Sequence, residues 1–200
     1  MSPLSELDTC PVCSLPTQQT ILRNRDAYTV KCLNCGHFSL TPEAEDELRA
    51  GTFALEPGHA KLAHAIRRLV PGVVITSHLL IGMAQTATLP AARQRVDNLV
   101  MHLAETFEPG HVMDLLYTTL RAVIGADSVD GARWAVREAY SMGLVQSLHP
   151  EPDVMHSFLN AFLTTAGWDR HEELLKSGVS SRHAFMAMKF GDAQLQAFFR

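Results

Sequence analysis

The residues best placed to do chemistry together are four cysteines, Cys10, Cys13, Cys32 and Cys35, and the chain has no others. They fall as two C-x2-C pairs, Cys10-Pro11-Val12-Cys13 and Cys32-Leu33-Asn34-Cys35, with 18 residues between them. Each such turn aims two thiolates at one point, and two turns complete a tetrahedron around Zn²⁺. With four sulfur ligands the shell is closed and leaves no position for a catalytic water, so the expected role of Zn²⁺ is structural. Gly36, directly after the second pair, is placed to turn with positive φ. His37 could replace a cysteine, but its position past Cys35 suits a supporting or surface role better. A thioredoxin-like redox role is disfavoured, because two pairs are present and no βαβ pattern surrounds them.

The elements that must hold these sulfurs are short. Tyr28-Thr29-Val30 and Phe38-Ser39-Leu40 have strand propensity and flank the second knuckle. Residues 1–41 therefore read as a zinc ribbon. A unit this small cannot bury enough apolar surface to fold alone. Metal binding would supply about 10–16 kcal/mol, as in zinc-finger peptides. Arg23, Arg25 and Lys31 lie between the knuckles and would offset part of the thiolate charge.

The whole chain has 200 residues, room for one ordinary domain or two small ones. Apolar residues make up 46% and charged residues 19%, which excludes a disordered or collagen-like chain. Seventeen Lys and Arg against 21 Asp and Glu give a formal net charge of −4. Coating of nucleic acid by bulk charge is thereby disfavoured, while a local basic face stays open. Four cysteines are too few for a secreted disulfide scaffold and suit a reducing compartment. Met1–Asp8 lacks the basic start and apolar run of a signal peptide. Residues 69–92 carry no formal charge, yet Pro71, Gly72, Pro90 and several polar residues break the run. It is too polar to span a membrane. It reads as buried soluble structure, and the chain as cytoplasmic with no membrane partner.

Thr41-Pro42-Glu43 opens a helix that runs to about Ala50 and stops at Gly51. Its acids, Glu43, Glu45, Asp46 and Glu47, read as a solvated face. A second helix is predicted from His59 to Val70, with Leu62, Ala65, Ile66 and Leu69 spaced for burial and Lys61, Arg67 and Arg68 as a basic cluster. His59 and His64 are five apart, off one helical face, so they are no metal pair. Further helices are predicted over Pro90–Phe107 and His111–Ile124. Residues 42–110 thus form a helical region.

Residues 111–176 are more informative. Asp127-Ser128 signals a helix start, and the helix runs from Val129 to Met142. Ala132, Ala135, Val136 and Ala139 make a narrow inner face, with Asp130, Arg133, Arg137 and Ser141 opposite. Strand candidates follow at Leu144–Leu148 and Ser157–Thr164, separated by the turn His149–Asp153. Thr165 then caps a helix through Leu175. This order is that of a winged helix, with Val129–Met142 as the helix offered to a groove. Arg133 and Arg137 could contact phosphates or guanine edges of duplex nucleic acid. The competing reading is a protein-packing surface. The turn, Pro150-Glu151-Pro152-Asp153, is acidic and unsuited to phosphate. Trp168 reads as a core anchor.

Residues 177–200 begin with a linker, Ser177–Ser181, followed by an apolar run, His183–Phe190, typical of a buried parallel strand. Ala184-Phe185-Met186-Ala187-Met188-Lys189-Phe190-Gly191-Asp192 resembles the first strand and loop of nucleoside 2-deoxyribosyltransferase-like or TIR-like α/β domains. In similar bacterial multidomain proteins that domain follows a zinc-ribbon start and a winged-helix-like middle, and Leu163–Trp168 resembles the end of that middle part. The resemblance implies cleavage of an N-glycosidic bond in a nucleoside or dinucleotide by the C-terminal domain. The catalytic carboxylate of such domains lies beyond the first strand, so no catalytic residue is carried over. The fragment would be a truncated stub.

The expectation is therefore a mainly α fold with small β elements: an N-terminal zinc ribbon, a helical and winged-helix domain, and a C-terminal α/β stub. Its expected function is that of a zinc-binding, non-catalytic sensor or adaptor ahead of an α/β effector, contacting protein or nucleic acid. The alternatives are a DNA-binding regulator and part of an N-glycosidic-bond-cleaving enzyme. An unpaired strand at Phe185–Phe190 would favour self-association, hence a homo-oligomer.

Overall fold

A computed structural model of the chain describes residues 9–17, 19–24, 26–51, 58–148 and 157–190. The fold is mainly α with two small sheets. The first sheet is built on β1 (Gln19–Asn24), β2 (Ala27–Cys32) and β3 (Gly36–Leu40), paired antiparallel in sequence order. Its register sets Cys32 opposite Gly36, so the second knuckle is the turn of a β-hairpin. Gly36 takes φ +84°, the left-handed conformation that closes this turn. A two-residue strand, β4 (Val74–Ile75), adds to β3 in parallel.

Helix α1 (Pro42–Arg49) starts as its sequence requires: the Thr41 hydroxyl accepts from the Ala44 N–H, and Pro42 occupies the first turn. Its acids do not form one solvated face. Glu43 and Asp46 are exposed, but Glu45 is only 8% exposed and pairs with Arg49 at 2.6 Å. The carboxylate is tolerated there because a guanidinium one turn later neutralises it. Helix α2 (Gly58–Arg67) buries Leu62 and Ile66. It stops three residues short of Val70, ahead of a turn at Pro71-Gly72.

The uncharged stretch 69–92 holds β4 and an unpredicted helix, α3 (Ser77–Thr86). Thr76 caps α3 by accepting from the Leu79 N–H. The stretch is not uniformly buried: Ile75, Leu80 and Met83 face inward, while Val70, Val73, Val74 and Ile81 are exposed. Ribbon, α1, α2 and α3 share one core, lined by Val12, Val30, Leu40, Leu62, Ile75 and Leu80.

The second core gathers α4 (Ala92–Thr106), α5 (Tyr117–Ile124), α6 (Val129–Ser141) and a three-stranded sheet. That sheet has β5 (Met113–Leu116), β6 (Val145–Ser147) and β7 (Ser157–Leu163), in the order β5-β7-β6, all antiparallel. The helix expected over His111–Ile124 is thus a strand followed by a shorter helix. Its apolar spacing fits either state. Pairing with β7 decides the first half: Leu115 is buried while its neighbours Asp114 and Leu116 are exposed, the alternation of a strand.

Helix α6 matches its predicted bounds to within a residue, with Ser128 accepting from the Gly131 N–H as cap. Ala132, Ala135, Val136 and Ala139 are fully buried. The cap of the last helix is Thr164 rather than Thr165, since its hydroxyl accepts from the Gly167 N–H. Helix α7 runs from Thr165 to Phe190. This overturns both the linker at Ser177–Ser181 and the strand at His183–Phe190. An apolar run of this length is ambiguous by pattern alone, and Ala184, Met186, Ala187, Met188 and Lys189 are strong helix formers with a helix already running into them. Arg170 anchors α7 to α4 through a two-pronged pair with Asp97, both contacts at 3.0 Å. Trp168 packs against the second core, as an anchor should. Met1–Asp8, the turn His149–Asp153, and Gly191-Asp192 lie outside the described residues.

Candidate metal centre

The four predicted ligands converge. The sulfurs of Cys10, Cys13, Cys32 and Cys35 all lie within 4.8 Å of one another, with Cys13 and Cys32 at 3.5 Å. A tetrahedron with Zn–S of 2.3 Å would set its sulfurs about 3.8 Å apart, so the cluster has the dimensions of a metal site. The first knuckle is shaped by its backbone: the Ser14 N–H bonds to the Cys10 carbonyl at 2.9 Å, and the Cys10 N–H to the Leu15 carbonyl at 2.8 Å. In the second knuckle the Cys35 N–H points at the Cys32 sulfur at 3.4 Å. Cys10, Cys32 and Cys35 are buried and Cys13 is half-buried.

The chemistry of the donor set also fits a cation. Four sulfurs this close cannot all be ionised with nothing positive between them. Hydrogen bonding to Cys13 and Cys32, aided by burial, pushes the Cys10 thiol far above its ordinary range. Hydrogen bonding to Cys10 and the other sulfurs, again with burial, does the same to Cys35. Accepting hydrogen bonds, first from Cys10, holds Cys32 far down and draws Cys13 to about 7. A divalent cation would remove the conflict and let all four serve as thiolates.

Several groups brace the second knuckle. The Arg67 guanidinium, at the end of α2, donates from Nη1 to the Leu33 carbonyl at 3.1 Å and the Asn34 carbonyl at 2.9 Å. Burial pushes its pKa down, and the nearby charge of Cys35 and Cys32 opposes that. The buried Asn34 side chain donates toward the Cys35 sulfur at 3.8 Å and accepts from the Ala122 backbone N–H of α5 at 2.9 Å. His64 Nδ1 donates to the Ala122 carbonyl at 2.7 Å. One α5 peptide position is thus gripped from both the knuckle and α2. Arg67, Asn34 and His64 were not singled out as site residues from sequence, because nothing in their spacing announces contacts over such chain distances.

A cavity of about 50 Å³ lies beside Cys13, lined also by Asn34, His59 and Arg121. Among the described residues, His59 Nε2 and Arg121 Nε are buried with no hydrogen-bond partner. The space fits one or two waters between them. His37 is exposed, away from the ligand set. Lys31 is exposed on β2.

The two arginines predicted to face nucleic acid lie on α6, remote in chain from the sulfurs. Arg133 ion-pairs with Asp130 on its own helix and sits over the Tyr117 ring at 5.4 Å. Arg137 is exposed. Beside them the same helix exposes Trp134 and Tyr140, each 42% accessible, with Met142 just beyond its end. No helix among the described residues is long and apolar enough to cross a membrane. Comparison with protein-family models, with curated proteins and with solved structures gave no match.

Proposed function

We propose that this chain is a zinc-stapled, non-catalytic sensor or adaptor module whose α4-to-β7 unit is a winged helix that presents α6 to a protein partner. Zinc is favoured among metals because the donor set is four sulfurs. Cys10, Cys13, Cys32 and Cys35 would hold it, and it would supply the cross-link that lets the ribbon keep its shape. The winged-helix reading is supported by the element order α4, β5, α5, α6, β6, β7 and by the strand order β5-β7-β6. The segment that resembles the first strand of an α/β effector is helical, which removes the support for such a strand here.

The observation that carries the choice of partner is the outer face of α6. It offers exposed Trp134 and Tyr140, residue types enriched where proteins meet. Arg133, by contrast, is engaged by Asp130 and Tyr117. The second reading, a DNA-binding regulator, keeps one favourable observation, the exposed Arg137 on that face. One cation in a chain of net charge −4 would give weak binding with a shallow salt slope.

The test is a photo-crosslinking amino acid at Ser141, an exposed position on the Trp134 and Arg137 face, introduced in living cells. Adducts removed by protease and untouched by nuclease are expected. Adducts removed by nuclease, together with low-salt duplex binding that disappears in Arg137→Ala, would move the assignment to the regulator.

A further inference from the structure

A cleft of about 300 Å³ opens between the end of α2 and one face of α4, on the side of the molecule where the two cores meet. Its α4 wall is Asn98, Met101, His102 and Glu105, spaced i, i+3, i+4 and i+7 and therefore on one helical face. Its opposite wall is Arg67 and Arg68, and Val123 of α5 also lines it. Among the described residues neither arginine has a carboxylate partner within ion-pairing distance. Glu105 lines the same cleft yet pairs with neither.

Arg67 and Arg68 both line this cleft, and the charge of Cys35 and Cys32 offsets that of Arg67 in part while none of the described carboxylates pairs with Arg68. Arg67 cannot swing away, because its Nη1 is fixed on two knuckle carbonyls. Arg68 is exposed and free to move onto a ligand. The imidazole of His102 adds a polar edge next to the Arg67 guanidinium, and the Asn98 side chain is steadied by donating to the Ile124 carbonyl at 3.4 Å. Met101 and Val123 offer apolar surface beside these polar groups. Two cations lining one cleft beside a short apolar surface suit a phosphate group carrying a small organic body.

We propose that this cleft is a binding site for a small phosphomonoester, held by Arg67 and Arg68 through its phosphate. The cleft is concave and carries a carboxylate, both of which disfavour the continuous backbone of a nucleic acid. The site does not depend on the partner assigned to α6. Its position has a consequence of its own. Arg67 holds the second knuckle and Asn98 holds the end of α5, so a ligand filling the cleft would lie against residues braced to both cores.

The test uses the full, zinc-loaded chain, titrated by calorimetry and by amide NMR with adenosine 5′-monophosphate, inorganic phosphate and adenosine. Both phosphates are expected to bind and to shift resonances of Arg68 and His102, while adenosine does neither. Arg68→Ala, a change at an exposed position, should weaken phosphate binding about tenfold or more. Glu105→Gln should strengthen it severalfold by removing a like charge. No binding of either phosphate at millimolar concentration would overturn the site. So would equal affinity in Arg68→Ala, or displacement of the nucleotide by a short duplex that binds more tightly.

Discussion

The side-chain carbonyl of Asn34 accepts a hydrogen bond from the backbone N–H of Ala122 at 2.9 Å, both groups buried and 88 residues apart in the chain. Asn34 lies between two metal-ligand candidates, and Ala122 lies in α5 of the second core's helical set. The bond therefore joins the geometry of the knuckle directly to a helix that packs under α6 and α4.

Replacing Asn34 by Ala leaves the Ala122 N–H buried without its partner, at a cost of about 1–3 kcal/mol. In a chain of this size that corresponds to a fall in Tm of roughly 2–12 °C. All four sulfurs remain, so metal content is expected to stay at the wild-type level. Calorimetric melting alongside elemental analysis checks both halves, and a loss of metal equal to the loss of stability would show that Asn34 acts on the ligands instead.

The purified chain is expected to carry one zinc ion. Cys35→Ser, at the most enclosed ligand, should abolish zinc retention and unfold the ribbon. Mass spectrometry under native conditions measures the first, and loss of dispersion in the β1–β3 amide resonances measures the second. A ribbon still ordered after chelation would contradict the structural role.

His102 introduces a pH dependence. Burial first, and then the Arg67 guanidinium, lower its pKa from 6.5 to about 4. Between those values the unfolded chain takes up a proton that the folded chain refuses. Stability thus falls as pH drops through that window and levels off below it, a loss on the order of 1–3 kcal/mol. His64, lowered chiefly by its own burial, acts in the same direction. Urea unfolding between pH 7 and pH 4 reads the slope. His102→Gln should flatten it in part, leaving the contribution of His64, while an unchanged slope would remove His102 from the account.

Gly125 ends α5 with φ +74°, and a Cβ there would run into the Pro90 ring and come within 3.1 Å of His64 Cε1. Gly125→Ala combines left-handed strain with overpacking, which together should cost roughly 2–4 kcal/mol. Gly143 also has positive φ, at +70°, but open space around it, so Gly143→Ala should cost only the strain, about 1 kcal/mol. Comparing the two variants by chemical denaturation separates the collision from the backbone effect; equal losses would mean that the Pro90 contact carries no weight.

What could be read from the sequence was local. Each C-x2-C pair, the turn at Gly36, the caps at Thr41 and Ser128 and the small-residue face of α6 depend on residues within a few positions of one another, where covalent geometry sets the outcome. Where two local states are nearly equal in energy, the tertiary structure chose. Met113–Leu116 became a strand because β7 lies beside it, and His183–Phe190 continued a helix where a strand would have needed neighbours to pair with. Long-range partnership decided the rest: Arg133 lies over Tyr117, and Asn34, Arg67 and His64 gather behind the knuckle. The cleft between Arg67, Arg68 and the face of α4 exists only because the end of α2 at Arg67 and a helix that begins at Ala92 meet there. Residue order fixes which groups are near in the chain, whereas packing of the two cores fixes which are near in space.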